Sequence, residues 1–186
     1  MDFLFSGVDH GAYYHFQAQR EPWLDVVLTA GVFLGHWGGL ILLAVSIVLL
    51  LLLPRTNRLS PRKLAFFLVF GAAAMELLRR LVARGRPDSA ALLVPEFEMQ
   101  RSFPSLGVFA LTLSLLTWAV VAERNCSKNW QIIAAYGLAI LITGYGAFSQ
   151  LYFCLHYVTD VAVALVAAGA LFLIGRSICV TRAESP

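Results

Sequence analysis

Long apolar runs alternate with short polar clusters along this chain. Trp23 to His36 is a short apolar segment with Asp25 near its start, and Trp37 to Leu53 is a second, Leu-rich and uncharged. Gly35, Gly38 and Gly39 mark a break between them. After the basic loop 54–63, a third run from Phe66 to Leu78 continues helically to about Ala83. A polar loop, 85–103, leads to a fourth run, Pro104 to Val121. Trp130 to Tyr152 is the fifth and Tyr157 to Ile174 the sixth, joined by a tight connection at 153–155. Runs of about 17–25 apolar residues are long enough to cross a bilayer. The pattern predicts an all-α integral membrane protein, a six-span helical bundle. Trp23–His36 covers only about 20 Å at 1.5 Å per residue, so five spans is the alternative count.

Residues 1–22 are polar and aromatic and read as an N-terminal interfacial segment. Tyr13, Tyr14, Phe16 and the following Trp23 suit the headgroup level. Residues 23–176 then form the membrane-embedded helical domain, and 177–186 a tail on the cytoplasmic side. Asp2, Asp9 and His10 precede any apolar run, unlike the basic start of a cleavable signal peptide.

Composition agrees with the pattern. The 186 residues are 59% hydrophobic and 13% charged, which leaves no room for a separate soluble domain. The net charge of +3 comes from loop arginines and gives no reason to expect nucleic acid. Cys126, Cys154 and Cys179 have no metal-ligand spacing and read as free thiols, so neither a metal nor another cofactor is expected. Basic residues set the orientation. Arg55, Arg58, Arg62 and Lys63 lie in one loop, Arg124 and Lys128 in another against Glu123, and Arg176 and Arg182 near the C-terminus against Glu184. All three fall on one side by parity, which should be cytoplasmic in a bacterial inner membrane. The 85–103 loop and the 153–156 connection then face outward.

Three polar clusters end runs on that outward face. Arg79 and Arg86 are seven residues apart and share one helix face. Arg80 and Arg84 read as snorkelling side chains, and Glu76 lies one turn before Arg79 and Arg80 as a partner for either. Pro104 fits the first turn of its helix, with Ser102 as a candidate cap. Ser105 then lies at a helix N-terminus, where free N–H groups and the dipole favour an anion. His156 and Asp160 are four apart, a spacing that lets the carboxylate hold one ring nitrogen and leave the other as a nucleophile. Ser149 and Gln150 end the fifth run as uncharged donors for phosphate oxygens. His36 falls at an outward turn between the first two runs.

Arg79-x6-Arg86-Pro87, Pro104-Ser105 and Ser149-Gln150-x5-His156-x3-Asp160 together resemble the type 2 phosphatidic acid phosphatase superfamily, which also includes the vanadium haloperoxidases. The family pattern is Lys-x6-Arg-Pro, Pro-Ser-Gly-His and Ser-Arg-x5-His-x3-Asp on a six-span bundle with an outward site. The match in spacing covers residues 79 to 160, and Pro22-Trp23-Leu24-Asp25 resembles the opening of small bacterial members. The resemblance implies that His156 attacks phosphorus to form a phosphohistidine and that Asp160 orients it. Arg79, Arg86, Ser105, Ser149 and Gln150 would bind the phosphate.

The chain departs from the pattern in three places. Arg79 replaces the lysine, Gly107 stands where a histidine protonates the leaving oxygen, and Gln150 replaces an arginine. Loss of a general acid costs roughly 10²–10⁴-fold, most severely for an alkoxide leaving group. The expected function is therefore to act on or bind a lipid phosphate or polyprenyl diphosphate, with diphosphates tolerated better than monoesters. The alternative is a catalytically impaired pseudophosphatase that binds lipid or serves as a subunit with a membrane-protein partner. Restoring Gly107→His and Gln150→Arg together is expected to raise the rate. A serine hydrolase is excluded by the lack of a Gly-x-Ser-x-Gly context.

Overall fold

The computed structural model describes residues 6–56, 59–88, 90, 99 and 101–179. They form helices α1 (Ser6–Ala18), α2 (Pro22–Phe33), α3 (Gly39–Leu52), α4 (Pro61–Val82), α5 (Leu106–Asn125), α6 (Asn129–Tyr152) and α7 (Val158–Cys179). The expected all-α membrane bundle is the architecture. Pro22 and Pro61 open α2 and α4, where a missing N–H leaves no helical bond unmade. Arg58, Ser89, residues 91–98, Gln100, Arg182 and Glu184 lie outside the described residues, and with them most of the polar loop and the tail.

The two first runs are one helix. A π-helical turn, Leu34–Gly38, joins α2 to α3, and Phe33, Gly38 and Gly39 all keep right-handed helical backbone. Pro22–Leu52 therefore runs unbroken for 31 residues, and the expected break at the glycines does not occur. These glycines serve close approach. A Cβ on Gly35 would stand 2.7 Å from Gly146 O, and one on Gly39 would collide with Gly107 O and stand 3.1 Å from Leu111 N. Small residues four apart let helix backbones meet in this way inside membranes.

Joining the first two runs therefore removes one crossing from the expected six. Pro22–Leu52, α5, α6 and α7 are long and apolar enough to cross a membrane. α4 matches them with 22 residues. Its charges, Arg62, Lys63, Glu76, Arg79 and Arg80, sit toward its ends and leave Leu64–Met75 uncharged. α5 is the central helix, packed on α3, α4, α6, α7 and the π turn. It buries every residue from Gly107 to Ser114, as expected of a helix enclosed on all sides. The outer helices expose Val26, Phe33, Ile41, Phe70, Ile140 and Val166, surface suited to acyl chains rather than water.

One crossing fewer at the start changes the place of the N-terminus. It now lies at the end of the bundle that carries 83–105 and 153–157, and α1 packs there against α6 and α7. The basic residues Arg55, Arg62, Lys63, Arg124 and Lys128 keep the opposite end.

Candidate active site

Two residues in left-handed backbone bring the polar clusters together. Ala83 (φ 45°) ends α4, and Cys154 (φ 52°) turns the chain between α6 and α7. Beyond Ala83 the chain pairs with its own return. Arg86 N–H donates to Met99 O at 2.8 Å and Ser102 N–H to Arg84 O at 2.9 Å. Arg84, Arg86 and Ser102 are thereby set beside the segment that carries His156.

His156 and Asp160 meet as their spacing predicts, with Nδ1 3.6 Å from Asp160 Oδ2. Ser102 Oγ donates to the same carboxylate oxygen and lies 3.5 Å from Nδ1. On the other side of the ring, Arg86 Nη1 donates to His156 Nε2 and to Leu155 O, each at 3.0 Å. A guanidinium has no lone pair to offer, so Nε2 must be the acceptor. The proton of the neutral ring therefore sits on Nδ1, facing Asp160 and Ser102. Burial, and then the Arg86 guanidinium, push His156 down to about 4 against the pull of Asp160. Near neutral pH the ring is uncharged, and its Nε2 lone pair, held by Arg86, is the nucleophile once that bond is released.

Asp160 is fully buried and its oxygens are engaged on every side. Oδ1 accepts from Arg84 Nη1 at 2.8 Å, and Oδ2 accepts from Tyr157 N–H at 2.9 Å as well as from Ser102. Arg84 does not snorkel as expected. The left-handed turn at Ala83 sends it inward, to pair with Asp160 at 2.8 Å and Asp9 of α1 at 2.7 Å. Its guanidinium also stands 4.1 Å from the centre of the Tyr157 ring. Arg80 keeps its expected exposed place, paired with Glu76 at 2.8 Å.

The remaining residues divide into two groups. Arg79 is buried; its Nε and Nη2 donate to Arg101 O at 3.3 and 3.0 Å, and Nη1 pairs with Glu76 at 3.4 Å. It ties α4 to the segment that carries Ser102 and Ser105. Ser105 is itself the residue before α5, so Pro104 lies outside the helix and Ser102 is not its cap. Ser105 N–H donates to Asp160 O at 3.2 Å, and its buried Oγ has no partner among the described residues. Ser149 and Gln150 instead bond toward α2 and their own helix. Ser149 Oγ donates to Tyr145 O at 2.8 Å and lies against Gly31. Gln150 Nε2 donates to Val32 O at 2.9 Å, and its Oε1 is buried without a partner among the described residues. The structure thus gathers His156, Asp160 and Arg86, joins Ser105 to Asp160 through the backbone and ties Arg79 to Arg101 and Glu76, while the bonds of Ser149 and Gln150 run elsewhere.

No protein-family model and no curated protein matches this chain. Among solved structures it is similar to a transmembrane PAP2 type phosphatidylglycerolphosphate phosphatase from Bacillus subtilis, with a TM-score of 0.78 and 20% sequence identity. The similarity spans 95% of this chain and 86% of that one. The chain has the transmembrane PAP2 fold. At this identity the likeness carries the fold, and the chemistry of the site has to be argued from its own residues.

On that fold, the departures at Gly107 and Gln150 meet at one place in the bundle. Both residues abut the π turn. A Cβ on Gly107 would collide with Gly35 O and stand 2.7 Å from His36 Cα and 2.8 Å from His36 O. A Cβ on Gly35 would stand 2.8 Å from Gln150 Nε2. The helix backbone occupies the space a side chain at 107 would need. A histidine there would need the π turn to shift, which weighs against the gain in rate expected from sequence. His36 is likewise not at an outward turn: it lies inside the long helix, directly over Gly107.

Sequence reasoning misses Asp9, Ser102 and Arg84 as members of this cluster. Asp9 reads as one acid in a polar segment, Ser102 as a cap, and Arg84 as a headgroup anchor. The one available signal is that Arg84 stands two residues before Arg86, on the same stretch of chain beyond the helix.

Proposed function

We propose that this protein is a membrane phosphatase of lipid phosphates that favours polyprenyl diphosphates over monoesters and works through a phosphohistidine on His156. The observation that carries this reading is the His156 ring: neutral, Nδ1–H toward Asp160, and Nε2 lone pair under Arg86. Nε2 attacks the terminal phosphorus, and the bond to the leaving oxygen breaks. Arg86 shifts from Nε2 to a phosphoryl oxygen, and Asp160 stabilises the positive charge that develops on the ring. With a diphosphate, a lipid monophosphate leaves without needing a proton. Water then attacks the phosphohistidine, releases inorganic phosphate and returns the neutral ring.

A monoester needs a proton on its leaving alkoxide. We assign that role to His36, whose backbone packs on Gly107 and whose ring lies within electrostatic range of His156. Ser105 Oγ, buried without a partner among the described residues, and the first N–H groups of α5 suit an anion. An outward-facing site is supported by the basic residues at the opposite end of the bundle. The packing of the π turn over Gly107 favours a second reading, in which the chain binds a lipid phosphate without turning it over, alone or as a subunit of a membrane assembly.

Phosphate release by the purified protein from a panel of phosphatidate, phosphatidylglycerol phosphate and polyprenyl diphosphates separates the two. The proposed function predicts turnover, fastest on the diphosphates. Binding of these lipids with no release from any of them would support the non-catalytic reading.

A further inference from the structure

α1 is held to the bundle in an unusual way. Asp9 is 1% exposed, and no other described residue of α1 is buried. Beside half-buried apolar contacts such as Phe16 against Phe148, the one fully buried side chain that α1 contributes is an acid. Asp9 Oδ2 accepts from Arg84 Nη2 and from Thr159 Oγ1, each at 2.7 Å, and Oδ1 accepts from Thr159 N–H at 3.1 Å. The same guanidinium donates through Nη1 to Asp160 Oδ1 at 2.8 Å and to Thr159 Oγ1 at 2.7 Å. Arg84 therefore stands between two carboxylates, one on α1 and one that faces the proton-bearing nitrogen of His156. A cavity of about 10 Å³, room for one water, separates α1 from the 151–158 segment and touches both Asp9 and His156.

We propose that Asp9 is a positioning residue for His156: carried on α1, it acts through Arg84 on Asp160 and so sets the proton affinity of the imidazole. Docking of α1 thereby tunes the nucleophile. The functional meaning rests on His156 as the nucleophile, but the measurement below does not.

Asp9, Arg84 and Asp160 together carry one negative charge beside the ring. Asp9→Asn leaves none, Arg84→Gln leaves two, and the double variant restores one. The other groups facing this cluster are Arg86 from the 83–90 turn, His36 from the π turn, and Tyr157 with Asp88 and His10 near its ring. They are the same in all four proteins. An unscreened unit charge at this range moves a proton affinity by about tenfold, or one pH unit.

The test is the titration of His156 by NMR of histidine-labelled full-length protein in detergent micelles, assigned with His156→Gln. Arg84→Gln should titrate about one pH unit above the unmodified protein. Asp9→Asn should titrate below it, and Asp9→Asn/Arg84→Gln should return near the starting value. Where Asp9→Asn alone falls below the accessible pH range, the downward step from Arg84→Gln to the double variant gives the same answer. Equal titration in Arg84→Gln and the double variant, or a shift of both single variants in one direction, would make Asp9 a mere anchor and overturn the proposal. Phosphate release by the same four proteins is read separately, so absence of turnover counts against the phosphatase and not against the coupling.

Discussion

Two regions around the His156 site are built of different materials. The Nδ1 side is built of charge: Asp160, Arg84, Asp9 and Ser102 bond to one another with little left unsatisfied. The region at Gly107 and Gln150 is built of backbone, where the π turn between α2 and α3 presses on α5 and α6 through glycines. Buried charges keep their place only with partners, because removing one partner leaves the other stranded. Backbone contact through glycine has a different weakness: it tolerates no side chain. The contrast shows that two departures from a motif need not be two losses. One helix backbone leaves no room for a Cβ at 107 and accepts the amide of Gln150 at Val32 O.

The comparison can be broken first on its charged side. His156→Ala should bring phosphate release to the background of a protein-free control. Asp160→Asn should lower it by the order of 10⁴-fold, as when a carboxylate that fixes an imidazole tautomer is neutralised. Turnover that survives either change would remove the His156 ring from the centre of the chemistry. On the backbone side, His36→Ala should slow monoester hydrolysis by about 10²-fold and diphosphate hydrolysis by less than about tenfold, because only the alkoxide needs a donated proton. Equal losses on both substrates would show that His36 is packing alone.

A smaller effect is expected from filling the glycine. Gly107→His should lose roughly 1–3 kcal/mol or more of stability, as overpacked sites do, visible as earlier thermal unfolding in detergent, and it should gain no activity. A stable variant with faster monoester turnover would show that the π turn yields. The pH dependence is the smallest signal. His156 loses its nucleophilic lone pair on protonation, and burial with Arg86 pushes that event down to about 4. The rate constant kcat/KM should be nearly flat from pH 7 to 5 and fall only as pH drops through about 4. A limb near 6.5, where an unperturbed histidine titrates, would mean the ring is not buried as described.

Much of this architecture is legible from sequence, and the limits have physical reasons. Apolar run length marks the later helices closely, since a bilayer fixes how long a span must be. The Glu76 pairs with Arg79 and Arg80 follow from helical spacing alone, whereas the His156–Asp160 pair forms at the turn before α7, with His156 two residues outside the helix. The glycines at 35, 38 and 39 mislead, because glycine both ends helices and lets them touch. Which role applies depends on Gly107 and Gly146, far away in the chain. Arg84 misleads for a similar reason: beyond Val82 its direction is set by the left-handed Ala83, not by the helix face. Asp9 is 151 positions from Asp160, and no local pattern links them.

The central claim is that His156 Nε2 forms a bond to phosphorus. The most direct measurement is to quench the protein with a polyprenyl diphosphate labelled in its terminal phosphate, then hold it at alkaline pH and map the label by mass spectrometry. The account predicts an acid-labile, base-stable phosphoryl group on His156 that is absent from His156→Ala. Phosphate release without any such adduct, or an adduct on another residue, would contradict it.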